Sequence, residues 1–142
     1  MDSIHVNSHA LRIAINDDPQ RVLAFNPNDA GFAQRFYSLV DRLEEERKKL
    51  NDWAQEFHSQ LTDAADPVAM GQQVNAKELE VLHLLRDELD AVFGAGTSQM
   101  VFGDTMDMDV VCQLFEGLTP FVRKARAERM VQYQRRNGQG VL

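Results

Sequence analysis

The fold is decided by residues 32–61, which read FAQRFYSLVDRLEEERKKLNDWAQEFHSQL. Their apolar residues recur at every third or fourth position and therefore lie on one side of a helix. We predict a long helix over residues 28–62, in which the apolar stripe covers about 30 residues, or about 45 Å at 1.5 Å per residue. Glu46 interrupts the apolar stripe between Leu43 and Leu50. A helix longer than its own domain requires either projects or pairs with another helix, so self-association through this helix is one expected interaction.

The residues before this helix predict a small β segment. Leu11, Ile13 and Ile15 alternate with polar or small residues, which is the period of a strand with one buried face. Turn-forming residues separate this run from two others, and Pro19 does not continue a strand ladder. The three runs cover residues 4–6, 11–15 and 21–25. We expect an antiparallel meander of two or three strands, which needs a helix across one face for stability.

Two further helices are predicted after a loop over residues 63–75. Asn75 is a good N-cap residue, and Glu78 lies three positions after it in the register of a capping box. The helix that follows has a broad apolar face, which is typical of a helix at the centre of a core. Gly94 ends this helix, because glycine readily adopts the left-handed conformation of a C-cap.

The segment that follows this helix contains three glycines and reads FGAGTSQMVFG at residues 93–103. The segment predicts a single turn of helix capped by Thr97 or Ser98. A last helix follows, with an aspartate of residues 104–107 as its cap. Pro120 lies inside this helix and has no amide hydrogen to donate, so we expect a kink or a break near it.

Length and composition bound the remaining choices. A chain of 142 residues and 16.1 kDa has the size of one domain. Its single cysteine argues against a disulfide framework, no apolar run reaches the roughly 18 residues of a membrane span, and the first residues lack the features of a signal peptide. We therefore expect one α+β domain, mostly α, in a reducing, cytoplasmic setting. Its predicted parts are a β segment (1–26), the long helix (28–62), a helical part with a basic C-terminal tail (75–136) and a disordered end (137–142).

Candidate catalytic, phosphate-binding and metal-binding groups do not form a recognisable set. Gly94 and Gly96 lack the third glycine and the preceding strand of a dinucleotide-binding loop. The aspartates of residues 104–109 lack the spacing of a calcium loop, and the four histidines offer no evident third metal ligand. Cys112 has no histidine close in sequence to activate it, although His83 can approach it in space. We predict no catalytic residue, no metal and no cofactor, and hence a protein that is not an enzyme.

Interaction with a partner is the remaining function. The net charge is −7, but residues 121–136 hold six basic residues and one glutamate, which leaves +5 on the tail and −12 on the rest. Four cations close together exceed what the dipole of a helix end needs, and two methionines flanked by acids are poorly explained by packing. The acidic remainder does not favour nucleic acid. We predict a partner-binding site formed by Met106, Met108, Arg123, Lys124, Arg126 and Arg129.

A glycine-punctuated pattern precedes the last helix, and it continues into that helix. It consists of Phe93-Gly94, Gly96-Thr97 and Val101-Phe102-Gly103-Asp104, followed by Cys112 and Phe115-Glu116. Together with the short β segment and the long charged helix, this pattern resembles a family of small proteins from the tail modules of long-tailed phages and prophages, mostly of Gram-positive bacteria. The likeness covers residues 92–118 in motif and residues 26–61 in architecture. It leaves out the N-terminal 25 residues and the basic tail.

Members of this family are tail assembly chaperones, and the resemblance implies a non-catalytic role of that kind. Such a chaperone coats the long, apolar tape measure protein and recruits tail tube subunits to it; some members also occur as a longer frameshifted product. We expect this protein to bind a helical, aggregation-prone partner and to keep it soluble. Two alternatives stay open: a structural tail component retained in the virion, and a small regulator that binds nucleic acid through the basic tail.

Overall fold

The structure, a computed structural model, describes residues 1–139, with side chains described as far as Arg135. It confirms the α+β, mostly α fold, because a small antiparallel sheet precedes a set of helices. In chain order the elements are β1 (Leu11–Ile15), β2 (Asp18–Phe25), α1 (Ala30–Ser59), α2 (Pro67–Phe93), α3 (Thr97–Phe102) and α4 (Met108–Gln139). None of these helices combines the length and the apolar character that a membrane span requires.

The sheet is a two-stranded hairpin. Its turn is formed by Asn16 and Asp17, which both have positive φ (53° and 60°), as the turns preferred in two-residue hairpins require. Pro19 lies within β2, next to an irregularity of the ladder where proline is tolerated. The turn therefore lies at residues 16–17, and the expectation that Pro19 does not continue a strand ladder is wrong, because Pro19 falls inside β2. The third strand that residues 4–6 allowed does not form, because residues 1–10 are exposed and have no regular structure.

Helices α1 and α2 both begin at aspartate caps. Asp29 accepts hydrogen bonds from the amides of the first turn of α1, and Asp66 accepts one from the amide of Val68 at the start of α2. Helix α2 thus begins eight residues before Asn75, and the prediction of a loop up to that residue is wrong. Pro67 occupies the first turn of α2, where its missing amide hydrogen and fixed φ are favourable.

The last two helices correct the cap and break predictions. Neither Thr97 nor Ser98 caps α3 through its side chain; instead Asp90 of α2 accepts a hydrogen bond of 2.7 Å from the Ser98 amide. Asp107 caps α4, as expected, by accepting from the Asp109 amide. Helix α4 runs without a break through Pro120. It extends to residue 139, so the predicted disorder of residues 137–142 is not supported for the backbone of 137–139, and residues 140–142 lie outside the described part.

Helices α1 and α2 run through two regions of the molecule. In the first, which we call the body, the hairpin β1–β2, α3 and α4 pack against residues 30–46 of α1 and 81–93 of α2 around one core of apolar side chains. Phe36 is fully buried at its centre, with ring centroids 6.0 Å from Phe115 and 6.3 Å from Phe93. The second region, the arm, comprises residues 47–80. None of its residues is buried.

Candidate partner-binding groove

One face of α4 lines two adjoining clefts, which share Phe121 and together follow most of the helix. We call the two clefts together the α4 groove. Its α4 residues recur every three or four positions, which places them on one side of the helix. They are Val110, Gln113, Leu114, Gly117, Leu118, Phe121, Lys124, Ala125, Glu128, Arg129, Gln132 and Arg135. The opposite wall is built by the hairpin and by the turn before α1, so elements distant in sequence form the two sides of one surface.

The two halves of the α4 groove differ in character. The apolar half, about 520 Å³ in volume, lies between residues 13–16 of the hairpin, α3 and the first half of α4. The basic half, about 840 Å³ in volume, lies between residues 9–11, the Pro27–Asn28 turn and the second half of α4. Phe121 lines both halves, and 44% of its surface is exposed. An aromatic side chain therefore stands open to solvent at the junction.

The charge of the basic half comes from cations on α4 that face across the groove. Lys124, Arg129 and Arg135 line it, together with His9 of the N-terminal segment, and Glu128 is the acidic side chain among its lining residues. A surface of this sign attracts carboxylates, and the remainder of the chain is strongly acidic. The groove thus joins an apolar surface to a positively charged one within a single acidic protein.

Two arginines hold together elements that surround the groove. Arg21 of β2 donates hydrogen bonds to the carbonyl oxygens of Met100 and Val101, which are among the last carbonyls of α3 and lack helical partners. Arg126 of α4 donates one of 3.2 Å to the carbonyl oxygen of Asn28, in the turn before α1. These contacts span about 80 and 100 residues of sequence respectively, so they fix the hairpin and the end of α4 against the helices.

The structure separates the residues predicted to bind a partner. Lys124 and Arg129 line the basic half of the α4 groove, whereas Arg126 is used in the contact with Asn28. Arg123 lies on another side of α4, in a cleft shared with α1.

The two predicted methionines lie away from the groove, half-buried against the core. Met106 has its sulfur 3.2 Å from a guanidinium nitrogen of Arg86, and Met108 lies beside Leu50 and Ala54 of α1. Packing therefore accounts for both of them.

The sequence analysis missed several residues of the groove. Neither Phe121 nor Arg135 is among the residues predicted to bind a partner. The spacing of apolar and then basic residues along α4 contains the signal for both, because it continues over one face from residue 110 to residue 135. His9 and Ile13 carry no such signal, since only the tertiary fold brings the hairpin to α4.

Burial determines the ionisation of the single cysteine. Cys112 is buried, and burial raises the pKa of its thiol above the ordinary value of 9.0; the neighbouring carboxylates of Glu116, Asp109 and Glu44 act in the same direction, and Arg47 opposes them. The thiol is thus protonated and unreactive at neutral pH. Within residues 1–139 no three histidine, cysteine or acidic side chains converge in a way that could hold a metal ion.

Comparison with known proteins gives one match. The model of a protein family described as a family of unknown function, DUF6673, matches residues 20–139, and this range contains most of β2, helices α1 to α4 and the α4 side of the groove. No curated protein and no solved structure matches the chain.

Proposed function

Because this chain belongs to the DUF6673 family, whose function is unknown, we propose a function from its own surface and sequence. In this proposal the protein is a non-catalytic assembly chaperone of a long-tailed phage or prophage. It binds the tape measure protein, tail tube subunits or both during tail assembly. Its binding surface is the α4 groove. The protein acts in the host cytoplasm and needs no cofactor.

The observation that carries this proposal is the open apolar surface at Phe121, continuous with a row of cations. An exposed aromatic side chain in a long groove is a recurrent feature of surfaces that bind protein segments. The groove can cover apolar side chains of an unassembled partner, and the acidic remainder of the chain can keep the complex soluble. Cations at one end of the groove orient the partner through its carboxylates.

The segment that carries the resemblance to tail assembly chaperones also builds the groove. Gly94 and Gly96 have φ values of +117° and +85°, which side-chain-bearing residues rarely adopt, and they turn the chain from α2 into α3. Helix α3 then supplies Val101 and Phe102 to the apolar half. The glycine pattern is thus a requirement for the shape of the proposed binding surface.

Co-expression with the tape measure protein of the same genome tests the proposal. We expect the wild-type chain to raise the soluble fraction of that protein, and we expect Phe121→Asp to lose this effect because a carboxylate then lies in the apolar junction. Val131→Asp is the matched control, since Val131 is also 44% exposed on α4 but does not line the groove. Unchanged aggregation of the tape measure protein beside the wild-type chain would contradict the proposal.

Mass spectrometry of purified virions separates a chaperone from a structural tail component. A chaperone leaves the tail before completion, so we expect none of its peptides in the particle. Peptides in stoichiometric amount would replace the proposal with the structural alternative.

A further inference from the structure

Strand β1 has a free edge. Its ladder partner is β2, and no third strand exists in residues 1–139. Along such an edge, alternate backbone amides and carbonyls point away from the sheet without strand partners. A two-stranded hairpin is also the least stable form of sheet, so addition of a third strand stabilises it.

The apolar half of the α4 groove runs along this free edge. Ile13, Ala14, Ile15 and Asn16 all line it, although they are consecutive residues. Successive side chains of a strand point to opposite faces, so the three consecutive strand residues Ile13, Ala14 and Ile15 border one cleft where that cleft meets the edge of the strand. A strand edge opposite an apolar helix face is a geometry that binds extended peptides by strand addition.

The direction of the bound segment follows from the positions along the two walls. The end of β1, at Ile15, borders the half lined by Val110 and Leu114, whereas its start, at Leu11, borders the half lined by Lys124. Strand β1 and helix α4 therefore run in opposite directions. A segment antiparallel to β1 enters at the apolar half and ends in the basic half, where its carboxylates meet the cations of α4.

We infer that the α4 groove binds an extended partner segment as a third strand on β1, with alternating apolar residues followed by acidic residues in the N-to-C direction. The inference rests on the proposed function and specifies which part of the partner is recognised. Backbone hydrogen bonds to β1 supply affinity, and Phe121 with the cations of α4 supplies selectivity for this order of residues.

The chain's own N-terminal segment fits the groove less well than such a partner. Ile4 and Val6 are 89% and 86% exposed and alternate as strand residues do. If residues 7–10 turned, Val6 would lie opposite Leu11 and Ile4 opposite Ile13. That arrangement places apolar residues along β1 but no carboxylate in the basic half. An external segment with an acidic end matches both halves.

A synthetic nine-residue peptide tests the inference on the full-length protein. It has three valine–threonine pairs followed by three aspartates, and a control peptide has three lysines in place of the aspartates. We expect fluorescence anisotropy to give an affinity about tenfold higher for the aspartate peptide. Hydrogen exchange should show that β1 amides become protected when this peptide binds.

Variants of α4 localise the binding. Lys124→Glu combined with Arg129→Glu should weaken binding of the aspartate peptide about tenfold. Arg123→Glu, adjacent in sequence but directed to the cleft with α1, should leave the affinity unchanged. Circular dichroism melts establish that all variants fold.

Four results would overturn the inference. They are the absence of aspartate-peptide binding, equal affinity for the two peptides, binding without protection of β1, and equal losses in Arg123→Glu and in the double variant. Protection of β1 that is present without peptide and disappears when residues 1–8 are deleted would assign the edge to the chain's own segment and would also reject a partner. Peptide binding by a protein that fails to solubilise the tape measure protein would reject the proposed function alone.

Discussion

The body and the arm are built from the same two helices, yet they are packed in different ways. In the body, the apolar stripe of α1 is covered by α2, α4 and the hairpin, and Phe36 is fully buried. In the arm, the same stripe continues through Trp53 and Phe57, which stack with ring centroids 5.1 Å apart but stay partly exposed. An apolar stripe therefore shows which face of a helix can be buried. Whether that face is buried depends on a third layer.

Glu46 marks the border between the two regions. It is 7% exposed, and its Oε1 lies 3.5 Å from the side-chain nitrogens of both Arg42 and Lys49. The Arg42 Nε also lies 3.3 Å from a carboxylate oxygen of Glu88 in α2. All three distances are those of ion pairs, and Arg42 Nε makes no hydrogen bond. The residue that interrupts the sequence stripe is therefore a buried carboxylate with two cationic neighbours, and beyond it burial ends.

Identical substitutions in the two regions give the largest expected difference. Phe36→Ala should cost about 3–5 kcal/mol of unfolding free energy, because it empties a fully buried aromatic site. Phe57→Ala should cost about 1 kcal/mol, because the half-exposed ring loses mainly its stacking on Trp53. Urea titrations followed by circular dichroism measure both. Equal losses would show that the arm is packed as tightly as the body.

Much of this fold could be predicted from the sequence, because local patterns carry it. The alternation at Leu11–Ile15 predicts β1, the stripe from Phe32 predicts α1, and Gly94 predicts the end of α2. The start of α2 was missed, although Asp66 in the N-cap position and Pro67 in the first turn are local signals for it. The polar stretch after Pro67 has loop composition, and it is helical from its aspartate cap onward, where α2 lies against α1.

The candidate site was less accessible to prediction, because its two walls are more than 80 residues apart in sequence. Charge patterning on α4 identified Lys124 and Arg129, which line the groove. It could not distinguish them from Arg123 and Arg126, which face a cleft and a backbone carbonyl. Only the position of the hairpin decides which cations are directed to the groove.

Long-range polar contacts distinguish the body from the arm. Substitution of Arg21 measures how much such a contact contributes to the free energy of unfolding. Arg21→Ala removes the hydrogen bonds that join β2 to the end of α3 and should cost about 1–2 kcal/mol, since the side chain is half-buried and charged. Arg12→Ala is the matched control on the exposed face of β1 and should change stability by less than about 0.5 kcal/mol. Unfolding in urea measures both losses, and a similar loss for Arg12 would contradict the role of the contact.

The smallest expected effect concerns pH and follows from burial of Cys112 in the body. Burial raises the pKa of this thiol, so between its ordinary value of 9.0 and its folded value the unfolded chain loses a proton that the folded chain keeps. Proton binding then favours the folded state, and stability falls as pH rises through that range, by at most about 1.4 kcal/mol per pH unit. Cys112→Ala should lack this part of the decline.

Urea titrations at pH 8 and pH 10 measure the difference between the wild-type chain and Cys112→Ala, because the other titrating groups are common to both. The single tryptophan, Trp53, lies in the arm, so its fluorescence reports that region separately from the circular dichroism of the whole chain. If the arm opens independently, its fluorescence transition should shift with pH by the same amount in both proteins. The transition of the body should shift more in the wild-type chain than in Cys112→Ala. Parallel pH curves for the body would mean that Cys112 ionises as readily in the folded protein as in the unfolded chain, and that the core around it is open to water.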